Sequence, residues 1–140
     1  MFDNFINDTI KDFEMSEADV RNLQPLVLAY VGDAIYEAFI RTMLVTGKKA
    51  NVHVLHKTSV QYVKAKAQAD IIHRINDRLT QDEQDIVRRG RNAKSATVPK
   101  NADVSDYRYS TGFEALIGFL YLTNAISRLK EILNLCIETE

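Results

Sequence analysis

The sequence predicts an all-α fold, on three observations. It holds only two prolines and five glycines in 140 residues, which leaves few turn signals for a sheet. Two stretches, LQPLVLAYVGDAIYEAFI and YSTGFEALIGFLYL, are apolar nearly all round and free of strand punctuation, the pattern of buried helices. Near the C-terminus, Ile126, Leu129, Ile132, Leu133 and Ile137 recur at helical spacing on one face.

The elements follow in order. Ser16 with Asp19 marks a first helix start. Pro25 suits the first turn of a second helix running toward Val45, and Gly47 suits its end. A third helical stretch is expected over 52–76. Thr80 caps a fourth, through Arg89, with Gly90 as its stop. Residues 91–102, RNAKSATVPKNA, lack apolar periodicity, contain Pro99 and predict a long basic loop. The second buried helix is expected over 104–123, with Gly112 marking a close helix approach, and the amphipathic helix over 125–137. Phe2, Phe5, Ile10 and Phe13 make the N-terminal segment apolar on one side, so it is expected to cover a core edge or a subunit. The expected division is a helical extension over 1–22 and one domain over 23–140, with no second domain.

Composition narrows the class. A hydrophobic content of 46% with 26% charged residues is that of a soluble globular chain, long enough for a genuine core. Its single cysteine, Cys136, excludes a disulfide framework and a cysteine-based zinc site. The N-terminus is acidic and lacks the basic region of a signal peptide, and Asp33, Glu37 and Arg41 interrupt the longest apolar run. A cytoplasmic protein without a membrane partner is expected.

The net charge of −1 hides an asymmetry. Residues 48–102 carry twelve Lys/Arg against five Asp/Glu, a net +7, while the remainder carries six against fourteen, a net −8. No acid occurs from Lys48 to Ala69 or from Ile86 to Ala102. A polyanion partner explains such a segment, and so does a solvated surface that folding mixes with acids from elsewhere.

Asp33 and Glu114 stand inside the two apolar stretches. A buried carboxylate is costly unless it is paired or holds a cation. Two such helices, each with one misplaced acid, suggest a cation site where they cross. Magnesium favours few carboxylates and several waters, and beside a phosphodiester it activates water and neutralises the leaving oxygen. The plainer explanation pairs each acid with Arg41 or Arg108, or makes Glu114 a cap after Gly112. That serves for either acid alone; for both together, beside a basic surface, the site reading is competitive. His53, His56 and His73 match no metal-binding spacing and are expected on a surface or an interface. Tyr107, Tyr109 and Phe113 are expected to pack.

These residues also carry a resemblance. VGDAIYE resembles the GDA-containing helix of the ribonuclease III endonuclease domain, and GFEALIGFLYL resembles its later helix. The RGRNAKSATVPKNA loop and the YRYSTGFEALIG lead-in are similar to the compact Mini-ribonuclease III branch of that family, and the likeness spans 23–133. The chain stops where a full-length ribonuclease III would begin its double-stranded-RNA-binding domain.

The resemblance implies an all-helical, two-fold symmetric homodimer and a metal-dependent endonuclease for double-stranded RNA. Mg²⁺ is the implied cofactor, with Mn²⁺ as a substitute. Asp33 and Glu114 take the catalytic and metal-ligand positions. Full-length members have acids where this chain has Ala29 and Thr111, so two of four expected acids are present. Water, RNA phosphates or Glu37, one turn beyond Asp33, would complete the coordination, although an ordinary interhelical ion pair explains Glu37 better. The RNA contacts expected first are Arg91, Asn92, Lys94 and Ser95 in the matching motif, then Arg88, Arg89 and Lys100 beside it. Lys48, Lys49, Lys57, Lys64 and Lys66 could extend the surface. Double-stranded RNA is read by shape, through phosphates and 2′-hydroxyls, which suits these side chains. The implied role is maturation of the large-subunit (23S) ribosomal RNA precursor, with a ribosomal protein as a further partner and products ending in 5′-phosphate and 3′-hydroxyl. The rival is a non-catalytic double-stranded-RNA-binding or ribosome-associated module on the same fold; retention of both acids argues against it. A helical protein-interaction domain would bind neither RNA nor divalent ions.

Overall fold

The computed structural model describes residues 8–9, 11–47, 50–94 and 98–138. Among them run α1 (Glu17–Arg21), α2 (Pro25–Gly47), α3 (Val52–Val63), α4 (Ala65–Ile75), a 3-10 turn (Asn76–Arg78), α5 (Gln81–Asn92), α6 (Val104–Leu122) and α7 (Ile126–Ile137). Among the described residues no strand occurs and no helix is long and apolar enough to cross a membrane.

Side-chain caps explain most of the helix starts. Ser16 accepts from the Asp19 N–H at 3.0 Å, as the sequence predicts. Asn51 does the same for Val54 at the head of α3, and Asp103 for Asp106 at the head of α6. Thr80 and Glu83 form a reciprocal capping box at the head of α5. The turn into α7 uses Asn124 at φ 57°, a left-handed conformation that asparagine tolerates better than most residues.

Helix α6 is the centre of the fold, and α2, α4 and α5 pack around it. From Ser110 to Leu120 every residue is buried except Glu114, which is half-buried. Tyr36 of α2 meets Phe113 of α6 edge-to-face, with ring centroids 4.9 Å apart. Such a pair adds roughly 0.5–1.5 kcal/mol beyond its area burial. The buried Tyr36 hydroxyl donates to the Tyr62 carbonyl at 3.1 Å, which ties α3 to the same point.

Glycine sets the closest approaches. A Cβ on Gly32 would collide with the Glu114 carbonyl, and one on Gly118 with the Leu28 carbonyl. A Cβ on Gly112 would stand 2.5 Å from the Val87 carbonyl oxygen, and one on Gly90 would stand 2.7 Å from Gly112 Cα. Gly112 therefore marks a close approach, as expected.

Three expectations change: the all-round burial of α2 with Asp33 in it, the single helix over 52–76, and the stop at Gly90. Helix α2 is buried along one face only, through Leu28, Ala29, Gly32, Tyr36, Ile40 and Leu44, while Tyr30 is 81% exposed. Asp33 lies on the open side and is exposed, not buried. The stretch expected as one helix over 52–76 breaks at Lys64, whose ψ of 153° is extended. Gly90 does not stop its helix: α5 continues to Asn92 because the missing side chain lets α6 come near. Phe13 is 77% exposed and covers no core edge of its own chain, and Phe2, Phe5 and Ile10 lie outside the described residues.

Candidate active site

The site starts from the crossing of α2 and α6. Gly32 lets the α2 backbone rest against the Glu114 carbonyl, so Asp33, the next residue, comes beside the Glu114 side chain. The two carboxyl groups lie close enough to act on one another. Burial first, then the hydrogen bond and charge of Asp33, push the Glu114 carboxyl up to about 9. Glu37 adds further repulsion, and the neighbouring Gln68 amide works in the opposite direction. At neutral pH Glu114 therefore keeps its proton.

Of the alternative partners, Arg41 is engaged elsewhere and Arg108 is exposed. Arg41 pairs with Glu37 at 3.3 Å, four residues apart on the same helix. Glu37 is thus in an intrahelical pair, not the expected interhelical one. Among the described residues no Lys or Arg forms an ion pair with Asp33 or Glu114. Thr111 donates its hydroxyl to the Tyr107 carbonyl at 3.0 Å, and Ala29 is 7% exposed and apolar, so neither replaces the acid of the full-length pattern.

Among the described residues no three His, Cys, Asp or Glu side chains group closely enough to form a metal cage. The pair nevertheless suits one kind of cation. Two adjoining carboxylates that cannot both ionise alone, one of them facing solvent, fit a hard divalent ion that keeps most of its waters. Asp33 and Glu114 would hold it.

Gln68 is the residue that the sequence reading missed. It is 2% exposed and lies on the α4 face that buries Ala69, Ile71, Ile72 and Ile75. One amide among those apolar neighbours was the available signal.

The basic candidates divide by what they touch. Arg89 donates to the carbonyls of Arg21 at 3.3 Å and Leu23 at 3.5 Å, so it clamps the α1–α2 turn. Arg91 stands over the Tyr109 ring, 5.6 Å from its centroid, and bonds the Asn92 side chain at 3.2 Å. Arg88 pairs with Asp85 at 2.8 Å and remains exposed. Asn92, Lys94 and Lys100 are exposed, and Ser95 lies outside the described residues. Arg88, Asn92 and Lys94 line a cleft of about 430 Å³ that reaches Gln24 and Leu26 at the head of α2. Lys48 and Lys49 also lie outside the described residues; Lys57, Lys64 and Lys66 are exposed, with Lys66 3.6 Å from Asp70. His53, His56 and His73 are exposed as expected, and Tyr109 packs on His73 at 4.3 Å.

Comparison with known proteins agrees with this architecture. The family model of the ribonuclease III domain matches residues 26–125. The chain is 54% identical over 124 residues to Mini-ribonuclease 3 of Thermoanaerobacter sp. (strain X514), covering 89% of this chain and 87% of that protein. It is 49% identical over 125 residues to Mini-ribonuclease 3 of Clostridium tetani, covering 89% and 83%. A crystal structure of a Fusobacterium nucleatum protein superposes with a TM-score of 0.76 at 34% identity, covering 85% of this chain and 95% of that one. With the family model matching most of this chain, and with relatives of this identity, the chain belongs to the ribonuclease III family of endoribonucleases, in its Mini-ribonuclease 3 branch.

Proposed function

We propose that this endoribonuclease is divalent-cation dependent and cuts double-stranded RNA with Asp33 and Glu114 as its catalytic acids and cation ligands. The observation that carries the reading is the closeness of these two carboxyl groups, with no Lys or Arg paired to either among the described residues. Mg²⁺, or Mn²⁺ in its place, would supply charge neutralisation and a more acidic bound water. Asp33 offers its carboxylate on the solvent side, and Glu114 offers a half-buried one that must first release its proton. Glu37 stands near enough to take an accessory part through water. Hydrolysis forms a bond from water oxygen to phosphorus as the bond to the 3′ oxygen breaks. The leaving oxygen gains a proton, giving 5′-phosphate and 3′-hydroxyl ends.

Substrate hold falls to the basic edge. Arg88, Asn92, Lys94 and Lys100 present exposed donors to phosphates and 2′-hydroxyls, and Arg91 is already oriented by Tyr109. Ser95 extends this edge in sequence, whereas Arg89 supports it from behind. Cutting both strands needs two sites, and a two-fold homodimer supplies them. The exposed apolar residues of α2, Leu26, Val27 and Tyr30, support burial against a second copy. The catalytic unit in this reading is 23–140, with 1–22 as an extension. The substrate we favour is the large-subunit (23S) ribosomal RNA precursor, in the cytoplasm, with a ribosomal protein as an accessory partner.

The test is cleavage of a labelled RNA duplex by wild type, Asp33→Asn and Glu114→Gln, with binding measured separately. Wild type is expected to cut in Mg²⁺ or Mn²⁺, while both variants bind without cutting. If wild type binds but fails to cut with either ion, on precursor ribosomal RNA as well, the catalytic assignment falls and a binding module takes its place.

A further inference from the structure

Helix α4 carries one amide on its buried face, and that amide has one hydrogen bond. The Gln68 Nε2 donates to the Val63 carbonyl at 2.9 Å. Val63 ends α3, and the extended backbone at Lys64 deprives the last turn of its usual helical donors. The side chain thus seals the break between the two helices. The same amide lies beside the Glu114 carboxyl, where it favours the charged form.

One atom of this side chain is left over. Gln68 Oε1 is fully buried and has no hydrogen-bond partner, the only such side-chain atom among the described residues. Buried polar atoms in folded proteins are nearly always bonded to protein, water or an ion's shell. Covalent geometry keeps Oε1 beside Nε2, and hence beside Glu114. It is an acceptor only, so it calls for a donor. A water held by a cation is such a donor, and magnesium sites retain several waters.

We propose that Gln68 is a positioning residue of the cation site: anchored through Nε2 on the Val63 carbonyl at the α3–α4 junction, its Oε1 accepts a hydrogen bond from a water of the cation that Asp33 and Glu114 hold. The inference rests on the proposed role of those two acids. A neutral amide steadies the site without adding charge. Partners of this kind around a metal ligand are worth about 10–100-fold in metal affinity.

The test is calorimetric titration of Mg²⁺ and Mn²⁺ into the full chain: wild type, Gln68→Met, Gln68→Asn and Glu114→Gln. Gln68→Met keeps the volume and removes both the bond to Val63 and the buried acceptor. It is expected to weaken cation affinity about tenfold or more. Its cation-free melting temperature should fall less than a core truncation would cause, because the orphaned oxygen is removed as well. Single-turnover cleavage should slow while the RNA affinity stays put. Gln68→Asn retains the amide but withdraws it by one methylene, and the same loss of cation affinity is expected if the methionine variant does not fold. Cation affinity within twofold of wild type in the folded variants overturns the inference, and so does a lower melting temperature with unchanged affinity. Should wild type and Glu114→Gln bind the cation alike, the assignment of the acids fails instead.

Discussion

The backbone carbonyl of Glu114 rests on Gly32 so closely that a methyl group there could not be accommodated. Because Asp33 follows Gly32, this contact sets the meeting of the two carboxyl groups. Gly32→Ala should therefore damage stability and site together. An overpacked core site costs typically 1–3 kcal/mol, and here backbone lies against the added atom, so about 3 kcal/mol or more is expected. Gly47→Ala is the control, since nothing lies within 4 Å of its added Cβ. It should stay within about 1 kcal/mol of wild type. Urea unfolding of both variants decides the matter, and equal midpoints would contradict the packing described.

The proton on Glu114 gives a signed pH dependence. Its carboxyl titrates at about 9 in the folded chain, against about 4.3 for an unperturbed glutamate. Between these values the folded state retains a proton that the unfolded state has released. Its contribution to stability is full below about pH 4.3 and is lost as pH rises toward 9. Glu114→Gln removes that loss. In the absence of divalent ions the variant should melt above wild type at about pH 8, with the gap closing at about pH 5. Cation affinity of wild type should rise with pH across the same window, because the proton must leave first. Melting curves at both pH values check the first statement and titration calorimetry the second.

Glu83 shows the opposite sign. It is 5% exposed and takes two hydrogen bonds of 2.8 Å from Arg128. Burial alone would raise its carboxyl, but Arg128 and the Thr80 N–H outweigh burial and hold it below the ordinary range. This stabilisation is present above about pH 4.3 and disappears as pH falls through the lower folded value. Arg128→Met leaves a buried charge alone and should cost about 3–5 kcal/mol near neutral pH. Denaturant unfolding should show the deficit shrinking toward about pH 3 as Glu83 takes up a proton.

The basic residues should separate in a salt titration of RNA binding. Lys94→Ala and Lys100→Ala each remove an exposed cation, so each should weaken binding and lower the slope of log affinity against log salt by about 1 at most. Arg89→Ala should instead lower the melting temperature, because its guanidinium holds carbonyls of the α1–α2 turn. Filter binding across a range of salt, with melting curves alongside, reads both.

The helices were largely legible because their signals are local. Ser16, Pro25, Thr80 and the apolar face of α7 each act within a few residues of the end or face they define. Asp33 and Glu114 were legible as a pair because both interrupt apolar runs. What escaped the sequence depends on tertiary contact. Gly90 looks like a stop until Gly112 is seen against it. Lys64 bears no mark of a break, since neither proline nor glycine is involved and the donor that seals it is four residues on, at Gln68. Arg89 reads like its basic neighbours until its backbone partners are known. The exposure of Asp33 could not be inferred from composition, because the open side of α2 is as apolar as many a core.

A backbone-to-backbone contact also has a consequence for how this chain tolerates change. At the α2–α6 crossing the spacing of the two acids is set by peptide units, whose dimensions no substitution alters. Trimming an aliphatic residue in the distant core, at Ile132 or Leu133 for instance, would shorten the time that a molecule spends folded. It would leave the gap between the acids the same in each molecule that is folded. Durability and catalytic geometry are thus separable properties of this chain, except at the few positions where helix touches helix without a side chain between them.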